Sequence, residues 1–252
     1  IIDIGSFSIR LVIYDSISVA ARTVFNEKVI INLGKVVEKK GKIGLISFNL
    51  LSDILERFIS ISRSLKSENL VILATAAIRN AKNNVEFVNG IYKRFGIRVK
   101  VLTGEEEGIL AALGVFYSHK SVNGIIGDLG GGSLELIQMK GINNIKFLNS
   151  FLVGHTVLKN IGDYNSLKVN KYIEKNLNSL GDLSYENFYA VGGSFRVVAK
   201  LNMYLRKNSL KIIQDYVVTA DEIRENIINK FLSNSKFYNE ILEKGVKKAL
   251  VL

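Results

Sequence analysis

The chain has 252 residues, of which 48% are hydrophobic and 23% charged, and this composition is typical of a globular protein and excludes a disordered one. It has no cysteine, which excludes disulfides and thiolate metal sites. Its two histidines, His119 and His155, are too far apart in sequence to indicate a histidine metal site. No apolar run reaches the roughly 18 residues that a membrane-spanning helix needs, so we expect a cytoplasmic protein without a membrane partner.

The net charge of +11 has two interpretations. The excess charge either lies on a solvated basic surface without a partner or creates an electrostatic field that attracts polyanions such as nucleic acid, anionic lipid or phosphate chains. The sequence has no arginine-rich tract, no basic stretch interleaved with aromatic residues and no zinc-finger spacing, so we expect no specific nucleic acid partner. Because the chain begins with Ile1 instead of methionine, we also expect that its natural start is missing.

In the first half of the chain, the hydrophobic pattern predicts strands and helices. Residues 1–4 and 9–14 are rich in β-branched residues, which predicts two strands around a glycine turn. Apolar residues at helical spacing predict a helix from Leu45 to Leu65 with Ser47 at its N-cap. The further predicted elements are strands at Leu70–Thr75 and Ile97–Leu102 and helices at Val85–Phe95 and Gly104–Tyr117.

The second half shows the same kind of alternation. The predicted strands cover 124–129, 134–139 and Phe188–Val191, and the predicted helices cover 155–162, 168–179, the segment after Gly192-Gly193-Ser194, and 220–232. The last helix has a capping box formed by Thr219 and Glu222. Hairpins followed by alternating helices and strands predict an α/β protein with mixed sheets.

A repeat relates the two halves at an offset of 125 residues. Asp3, Gly5 and Ser8 match Asp128, Gly130 and Ser133, and the apolar positions around them stay in step. Each copy is a strand, a glycine-containing turn and a strand. A single copy would indicate only a hairpin, but two copies favour facing turns whose N–H groups bind one phosphate-bearing ligand.

Two segments between the copies of the repeat carry charged residues that suit phosphate chemistry. Thr103 and Glu106 have capping-box spacing, and the acids Glu105 to Glu107 either compensate the helix dipole or include a general base. Arg79 follows a strand and is either a surface residue or a group that stabilises a phosphoryl charge.

Three further positions favour phosphate chemistry. Asp3 and Asp128 are carboxylates in apolar strands, where an acid is costly unless it is paired or binds a metal, and beside a phosphate turn such acids usually hold Mg²⁺. Gly192-Gly193 precedes a helix and suits an anion at the helix N-terminus.

Five motifs, in this order, resemble the exopolyphosphatase/guanosine pentaphosphate phosphohydrolase (Ppx/GppA) family over nearly the whole chain. They are Asp3-Ile4-Gly5-Ser6, Thr75-Ala76-Ala77-Ile78-Arg79, Thr103-Gly104-Glu105-Glu106-Glu107, Asp128-Leu129-Gly130-Gly131-Gly132-Ser133 and Ala190-Val191-Gly192-Gly193-Ser194. The family belongs to the actin/Hsp70/sugar-kinase superfamily, so the resemblance implies an actin-like ATPase fold. We expect two ribonuclease-H-like domains, 1–118 and 119–252, whose mixed sheets are flanked by helices and surround an interdomain cleft.

The resemblance also implies a role for each matched residue. Glu107 corresponds to the catalytic base that activates water, and Arg79 lies near the scissile phosphate. The implied phosphate-binding residues are Gly5, Ser6, Ser8, Gly130, Gly131, Gly132, Ser133, Gly192 and Gly193, and the implied Mg²⁺ ligands are Asp3 and Asp128. The implied reaction is hydrolysis of a terminal phosphoanhydride of inorganic polyphosphate, with release of orthophosphate.

Two departures from the family pattern leave alternatives open. Phe7 stands where the family usually has asparagine, and the chain stops at Leu252, where members typically continue. The alternatives are a guanosine pentaphosphate (pppGpp) 5′-phosphohydrolase and a catalytically impaired polyphosphate-binding relative. The glutamate triplet argues against a sugar or acetate kinase. The oligomeric state stays open, with a homodimer among the expectations.

Overall fold

The computed structural model describes residues 1–18, 20–119, 121–162, 167–181, 185–210 and 212–229. Contacts divide the chain into two compact units, Ile1–Tyr189 and Ala190–Leu252. The first unit contains both copies of the repeated turn. The domain boundary that we predict at 118/119 falls inside this unit, between its two sheets.

The first sheet has mixed strand directions. Its strands are β1 (Ile2–Ile4), β2 (Ser8–Tyr14), β3 (Thr23–Ile30), β4 (Ile72–Ala74) and β5 (Val99–Val101), in the order β3-β2-β1-β4-β5. Strand β1 is antiparallel to β2 and parallel to β4. The helices that accompany it in sequence are α1 (Leu33–Lys40), α2 (Leu45–Ser64), α3 (Ala76–Arg79), α4 (Asn84–Phe95) and α5 (Gly104–Ser118).

The core lies against one face of this sheet. Side chains alternate along β1 and β2, so Ile2, Ile4, Ile9 and Leu11 are fully buried while Asp3 lies on the opposite, accessible face. Helix α2 packs Leu55 and Phe58 into the same cluster. The hydrophobic alternation in the sequence therefore fixes which face of the sheet carries the charged residues.

The predicted N-cap of α2 is wrong. The helix begins at Leu45, and Gly44 occupies the N-cap position with extended backbone angles (φ −83°, ψ 167°). Ser47 therefore lies inside the first turn. A serine cap was expected because serine oxygens accept from orphan N–H groups, but Gly44 is also tolerated at that position.

The second sheet is covered on both faces. Its strands β6 (Asn123–Leu129), β7 (Leu134–Lys140), β8 (Ile145–Phe151) and β9 (Phe188–Val191) are ordered β8-β7-β6-β9, and β9 begins within the first unit. Helix α5 covers one face, where Gly108 lies against Ile137. The other face packs Ile125 and Leu136 with Phe151. Two helices follow in the chain, α6 (His155–Ile161) and α7 (Leu167–Leu177).

The second unit is helical in its described part. Helix α8 (Gly193–Leu205) packs Leu201 against Ile227. Helix α9 (Ala220–Glu222) starts with the predicted capping box of Thr219 and Glu222 and continues as a π-helix over Ile223–Ile228. Residues 230–232 of the predicted helix lie outside the described residues. Within the described ranges, every helix is too short or too polar to cross a bilayer.

Candidate active site

The two repeated turns have the same local structure. In the first loop (residues 5–8), the Gly5 amide donates to the Ser8 carbonyl at 2.9 Å, and in the second loop (residues 130–133), the Gly130 amide donates to the Ser133 carbonyl at 2.9 Å. Each loop joins two antiparallel strands, β1 to β2 and β6 to β7. The sequence repeat is therefore also a structural repeat.

The loops are in direct contact. A Cβ atom placed on Gly132 would lie 2.7 Å from Ser6 Oγ, and one placed on Gly131 would lie 3.2 Å from Ser6 Cβ and 3.3 Å from Phe7 Cβ. An added side chain at either glycine would therefore displace a neighbouring group. The close approach of the loops brings together the predicted phosphate-binding residues Gly5, Ser6, Ser8 and Gly130 to Ser133.

A third segment reinforces this contact. Residues 154–156 run along the second loop, where the Gly154 amide donates to the Gly132 carbonyl at 3.3 Å and the Thr156 amide donates to the Gly131 carbonyl at 2.9 Å. A Cβ atom on Gly154 would lie 2.4 Å from the Gly131 carbonyl carbon. We call the contact between Gly131, Gly132, Gly154 and Ser6 the loop seam.

Strand register aligns charged residues beside the loops. In the first sheet Asp3 of β1 lies opposite Arg10 of β2, and in the second sheet Asp128 of β6 lies opposite Glu135 of β7. Residues directly opposite each other share a sheet face. Each half therefore presents one aspartate and one neighbouring charged residue next to its loop.

The two aspartates lie within electrostatic range of each other. The pKa of Asp3 is raised to about 6, first because the surrounding protein desolvates its carboxylate and then because Glu107 and Asp128 are negative; Arg10 partly offsets this. Asp3 remains accessible to water. Its carboxylate is therefore open to solvent on one side and is surrounded on the other by protein that already carries negative charge.

Helix α5 brings one glutamate of the triplet, Glu107, close to the carboxylate of Asp3. The capping box is formed as predicted, with Glu106 N–H donating to Thr103 Oγ1 and Thr103 N–H donating to the Glu106 carboxylate. This fixes the first helical turn, in which Glu106 also pairs with Lys100 at the surface. Glu107, one residue further, points instead to the guanidinium of Arg79, at 2.9 Å.

Arg79 connects two acids. Its Nη1 donates to Glu107 Oε2 at 2.9 Å and to the Leu102 carbonyl at 2.9 Å, and its Nη2 lies 3.8 Å from Glu135 Oε1. The side chains of Arg79 and Glu107 keep about a fifth of their surface exposed, at 20% and 19%, whereas Glu135 keeps 1%. Arg79 and Glu107 are thus the members of the cluster that remain partly accessible from solvent.

Glu135 is a site residue that the sequence analysis missed. Ser150 Oγ of β8 donates to its Oε1 at 2.7 Å. Burial and the charge of Glu107 raise the pKa of Glu135 to about 7, and hydrogen bonds from Ser133 and Ser150 partly offset the rise. Desolvation by burial is the largest cause of the raised pKa. A charged residue between Leu134 and Leu136 in a predicted strand was the available signal.

The donor set next to the loops suits one kind of metal ion. Among the described residues, no three His, Asp or Glu side chains are grouped closely enough to form a metal cage. Two mutually repelling carboxylates, Asp3 and Asp128, are nevertheless the usual protein share of a Mg²⁺ site, in which water and phosphate oxygens supply the other ligands.

The remaining predicted phosphate residues, Gly192 and Gly193, belong to the second unit. Gly192 is the N-cap of α8 and has a φ of 105°, a conformation that L side chains rarely adopt. Gly193 is the first residue of the helix. Their location at a helix N-terminus agrees with the predicted element, and their role in phosphate binding stays a prediction.

Comparisons with known proteins agree on one family. The model of the Ppx/GppA phosphatase family matches residues 12–244. The bifunctional 3-dehydroquinate synthase/phosphatase of Fusobacterium nucleatum is 24% identical over 92% of this chain and 38% of its own length. Exopolyphosphatase 1 of Mycobacterium tuberculosis is 28% identical over 54% of this chain and 40% of its own length.

A third relative carries a different name. The guanosine-5′-triphosphate,3′-diphosphate pyrophosphatase of Vibrio cholerae is 28% identical over 61% of this chain and 31% of its own length. The chain therefore spans two fifths or less of the length of these curated relatives.

Solved structures support the same assignment. The Aquifex aeolicus member of the Ppx/GppA family matches with a TM-score of 0.78 and 25% identity, over 98% of this chain and 83% of that one. An exopolyphosphatase from Cytophaga hutchinsonii, at 22% identity, shares the fold with a TM-score of 0.75 over 97% of this chain and 82% of that one. The predicted α/β fold of the actin-like class, with two sheets flanked by helices, is confirmed. This chain belongs to the Ppx/GppA phosphatase family.

Proposed function

We propose that this chain hydrolyses the terminal phosphoanhydride bond of inorganic polyphosphate and releases orthophosphate. The observation that carries the proposal is the contact from Arg79 to Glu107 and Glu135, next to the two facing loops. Phosphoryl transfer depends mainly on positioning and charge neutralisation, and these are the functions that loop amides, hydroxyls and a guanidinium perform. The names of the exopolyphosphatase relatives support the same reaction.

The groups of the site then divide between phosphate binding and activation of water. The loop amides and the hydroxyls of Ser6 and Ser8 bind the terminal phosphate, and Arg79 balances the charge that develops on its oxygens. Arg79 also holds Glu107 Oε2, which orients the carboxylate. The other oxygen of Glu107 accepts the proton of the attacking water, which makes that water a stronger nucleophile.

Asp3 and Asp128 would hold Mg²⁺. When bound, the ion neutralises phosphate oxygens and orients the substrate. The repulsion between the two carboxylates, which contributes to the raised pKa of Asp3, supports this assignment because a cation between them relieves it.

The role of Glu107 is tested by Glu107→Gln, which keeps the size of the side chain and removes the proton acceptor. We expect kcat for orthophosphate release to fall by about 10²–10⁴-fold. Glu105→Gln is the matched control, since it makes the same change in the same helical turn at an exposed position. Glu105→Gln should retain wild-type turnover, and equal turnover in Glu107→Gln would show that Glu107 is not the base.

The substrate is tested by comparing polyphosphate with pppGpp, each with Mg²⁺ and with a chelator. The name of the Vibrio cholerae relative favours pppGpp as the second candidate, whereas the net charge of +11 favours the longer polyanion. We expect a higher kcat/KM for polyphosphate and loss of release from both substrates without Mg²⁺. A higher kcat/KM for pppGpp would reverse the assignment of the substrate.

A further inference from the structure

An aromatic pair connects the two loops. The rings of Phe7, in the first loop, and His155, the first residue of α6, meet edge to face with their centroids 5.2 Å apart and their planes at 69°. Edge-to-face packing of this kind stabilises a contact beyond the apolar area that it buries. Phe7 therefore has a specific partner on the other side of the site.

His155 is firmly attached to the second loop. The residues on either side of it, Gly154 and Thr156, both donate backbone hydrogen bonds to that loop. The His155 imidazole also makes a hydrogen bond to the backbone of Gly130, and this bond favours the protonated ring, so the ring donates and the Gly130 carbonyl accepts. The side chain thus contacts one loop by a hydrogen bond and the other by ring packing.

The surroundings keep the imidazole neutral near pH 7. Burial lowers the pKa of His155 below its ordinary value of 6.5, and the charges of Lys159 and Lys28 lower it further, against the opposing effect of the Gly130 carbonyl. Lys28 Nζ also lies over the Phe7 ring, 5.5 Å from its centroid. A neutral ring has one N–H to donate, and the bond to Gly130 uses it.

We propose that His155 is a positioning residue that holds the first loop in register with the second, through its ring contact with Phe7 and its hydrogen bond to Gly130. The proposal rests on the proposed function, because register matters only if donors from both loops bind one phosphate. The loss of either contact removes one of the links between the loops beyond the loop seam, and the less precise register weakens the hydrogen bonds that one loop donates to the phosphate.

The kinetic test uses four substitutions. His155→Ala should lower kcat/KM for orthophosphate release by about tenfold, the combined effect expected from one hydrogen bond and one aromatic pair. His155→Gln keeps an N–H donor and His155→Phe keeps a ring, and each should recover part of the loss. Phe7→Leu, which keeps most of the volume, should lower kcat/KM and add little further loss in the His155→Ala background.

A control separates positioning from folding. His119→Ala removes the other histidine, which packs beside Tyr189 away from the loops, and it should keep wild-type kcat/KM. All assays are run well below each variant's unfolding midpoint, so lost stability alone cannot change kcat/KM. Wild-type kcat/KM in His155→Ala, or losses that multiply fully in the double variant, would overturn the proposal.

A second readout works without turnover. The chain has two histidines, so His119→Gln leaves the His155 imidazole as the only one visible by NMR. Tripolyphosphate should shift its Cε1–H resonance, and Phe7→Leu should reduce that shift at least twofold. If the resonance behaves in this way but the wild type releases no orthophosphate, the proposed hydrolase activity is refuted and the positioning role of His155 is supported. An unchanged resonance, or equal shifts with and without Phe7→Leu, would refute the positioning role even in an active enzyme.

Discussion

Glu135 has an ionisable carboxyl group that is almost completely shielded from water. Only 1% of its side-chain surface is exposed, and the Ser150 hydroxyl donates to its carboxylate at 2.7 Å. Because burial outweighs this hydrogen bond, the pKa of Glu135 rises to about 7. The free energy of unfolding must therefore depend on pH in the range where this group titrates.

The direction follows from linkage. Folding raises the pKa of Glu135 from its ordinary 4.5, so the folded protein binds the proton more tightly than the unfolded chain does. The stabilisation is complete below about pH 4.5 and is lost as pH rises towards 7, with a slope of up to about 1.4 kcal/mol per pH unit. Glu135→Gln removes this titration. Urea unfolding between about pH 5 and pH 7 should give a flatter curve for the variant, and parallel curves would contradict the prediction.

Among individual residues, the sequence predicted those that lie in recognisable motifs. Asp3, Arg79 and Glu107 were assigned from spacing and resemblance, and the structure places all three next to the loops. Glu135 was missed because a charged residue between two leucines, Leu134 and Leu136, suggests a solvent-facing position. Helix α5 covers that face of the strand, and the sequence alone does not show that packing.

At the scale of secondary structure, the start of α5 is set by its local sequence, whereas the face on which it packs is set by tertiary contacts. Its capping box starts the helix where the sequence predicts it, and that start places Glu107 beside Arg79. Two strands were not predicted, β3 and β8. Strand β3 is an edge strand with polar residues along it, and β8 contains Asn149 and Ser150, so neither has a continuous apolar pattern.

Two glycines of α5 should respond differently to an added methyl group. A Cβ on Gly114 meets nothing within 4 Å, whereas one on Gly108 would lie 2.9 Å from the buried side chain of Ile137. Gly114→Ala should therefore stabilise the protein by about 0.5–1 kcal/mol, the usual gain of alanine over glycine inside a helix. Thermal unfolding measures this gain. A lower midpoint in Gly114→Ala than in wild type would contradict an open site, and Gly108→Ala should gain less than Gly114→Ala.

For the whole molecule, the duplicated turn was the most informative sequence feature. The repeat at an offset of 125 residues predicted two similar loops, because two strand-turn-strand segments with the same acid and glycine are expected to form the same structure. Two such copies in one chain also favoured loops that face each other. The repeat did not predict the division at Tyr189/Ala190. Helix α5 precedes the second copy of the repeat in sequence, but it packs on the sheet that this copy forms. The boundary between the two copies in the sequence is therefore not a boundary between separately packed units.

The net charge of +11 leads to a prediction about salt. A long polyphosphate displaces more counterions than pppGpp does, because it presents more charges to the basic surface. Between 50 and 200 mM salt, KM for long polyphosphate should rise by about tenfold or more, and KM for pppGpp by about threefold or less. Steady-state kinetics across this range decides. Equal slopes for the two substrates would show that the excess charge lies away from the substrate path.

The loop seam restricts how far such a sequence can diverge. A side chain at Gly154 would overlap backbone atoms of the second loop, which lie 2.4–2.5 Å from the added carbon. A compensating substitution can make a neighbouring side chain smaller, but no substitution removes the main-chain atoms that the added carbon would overlap. Core and surface residues around this position can therefore change during evolution while Gly154 stays fixed. In a saturation mutagenesis screen, no replacement of Gly154 should give a folded, functional protein.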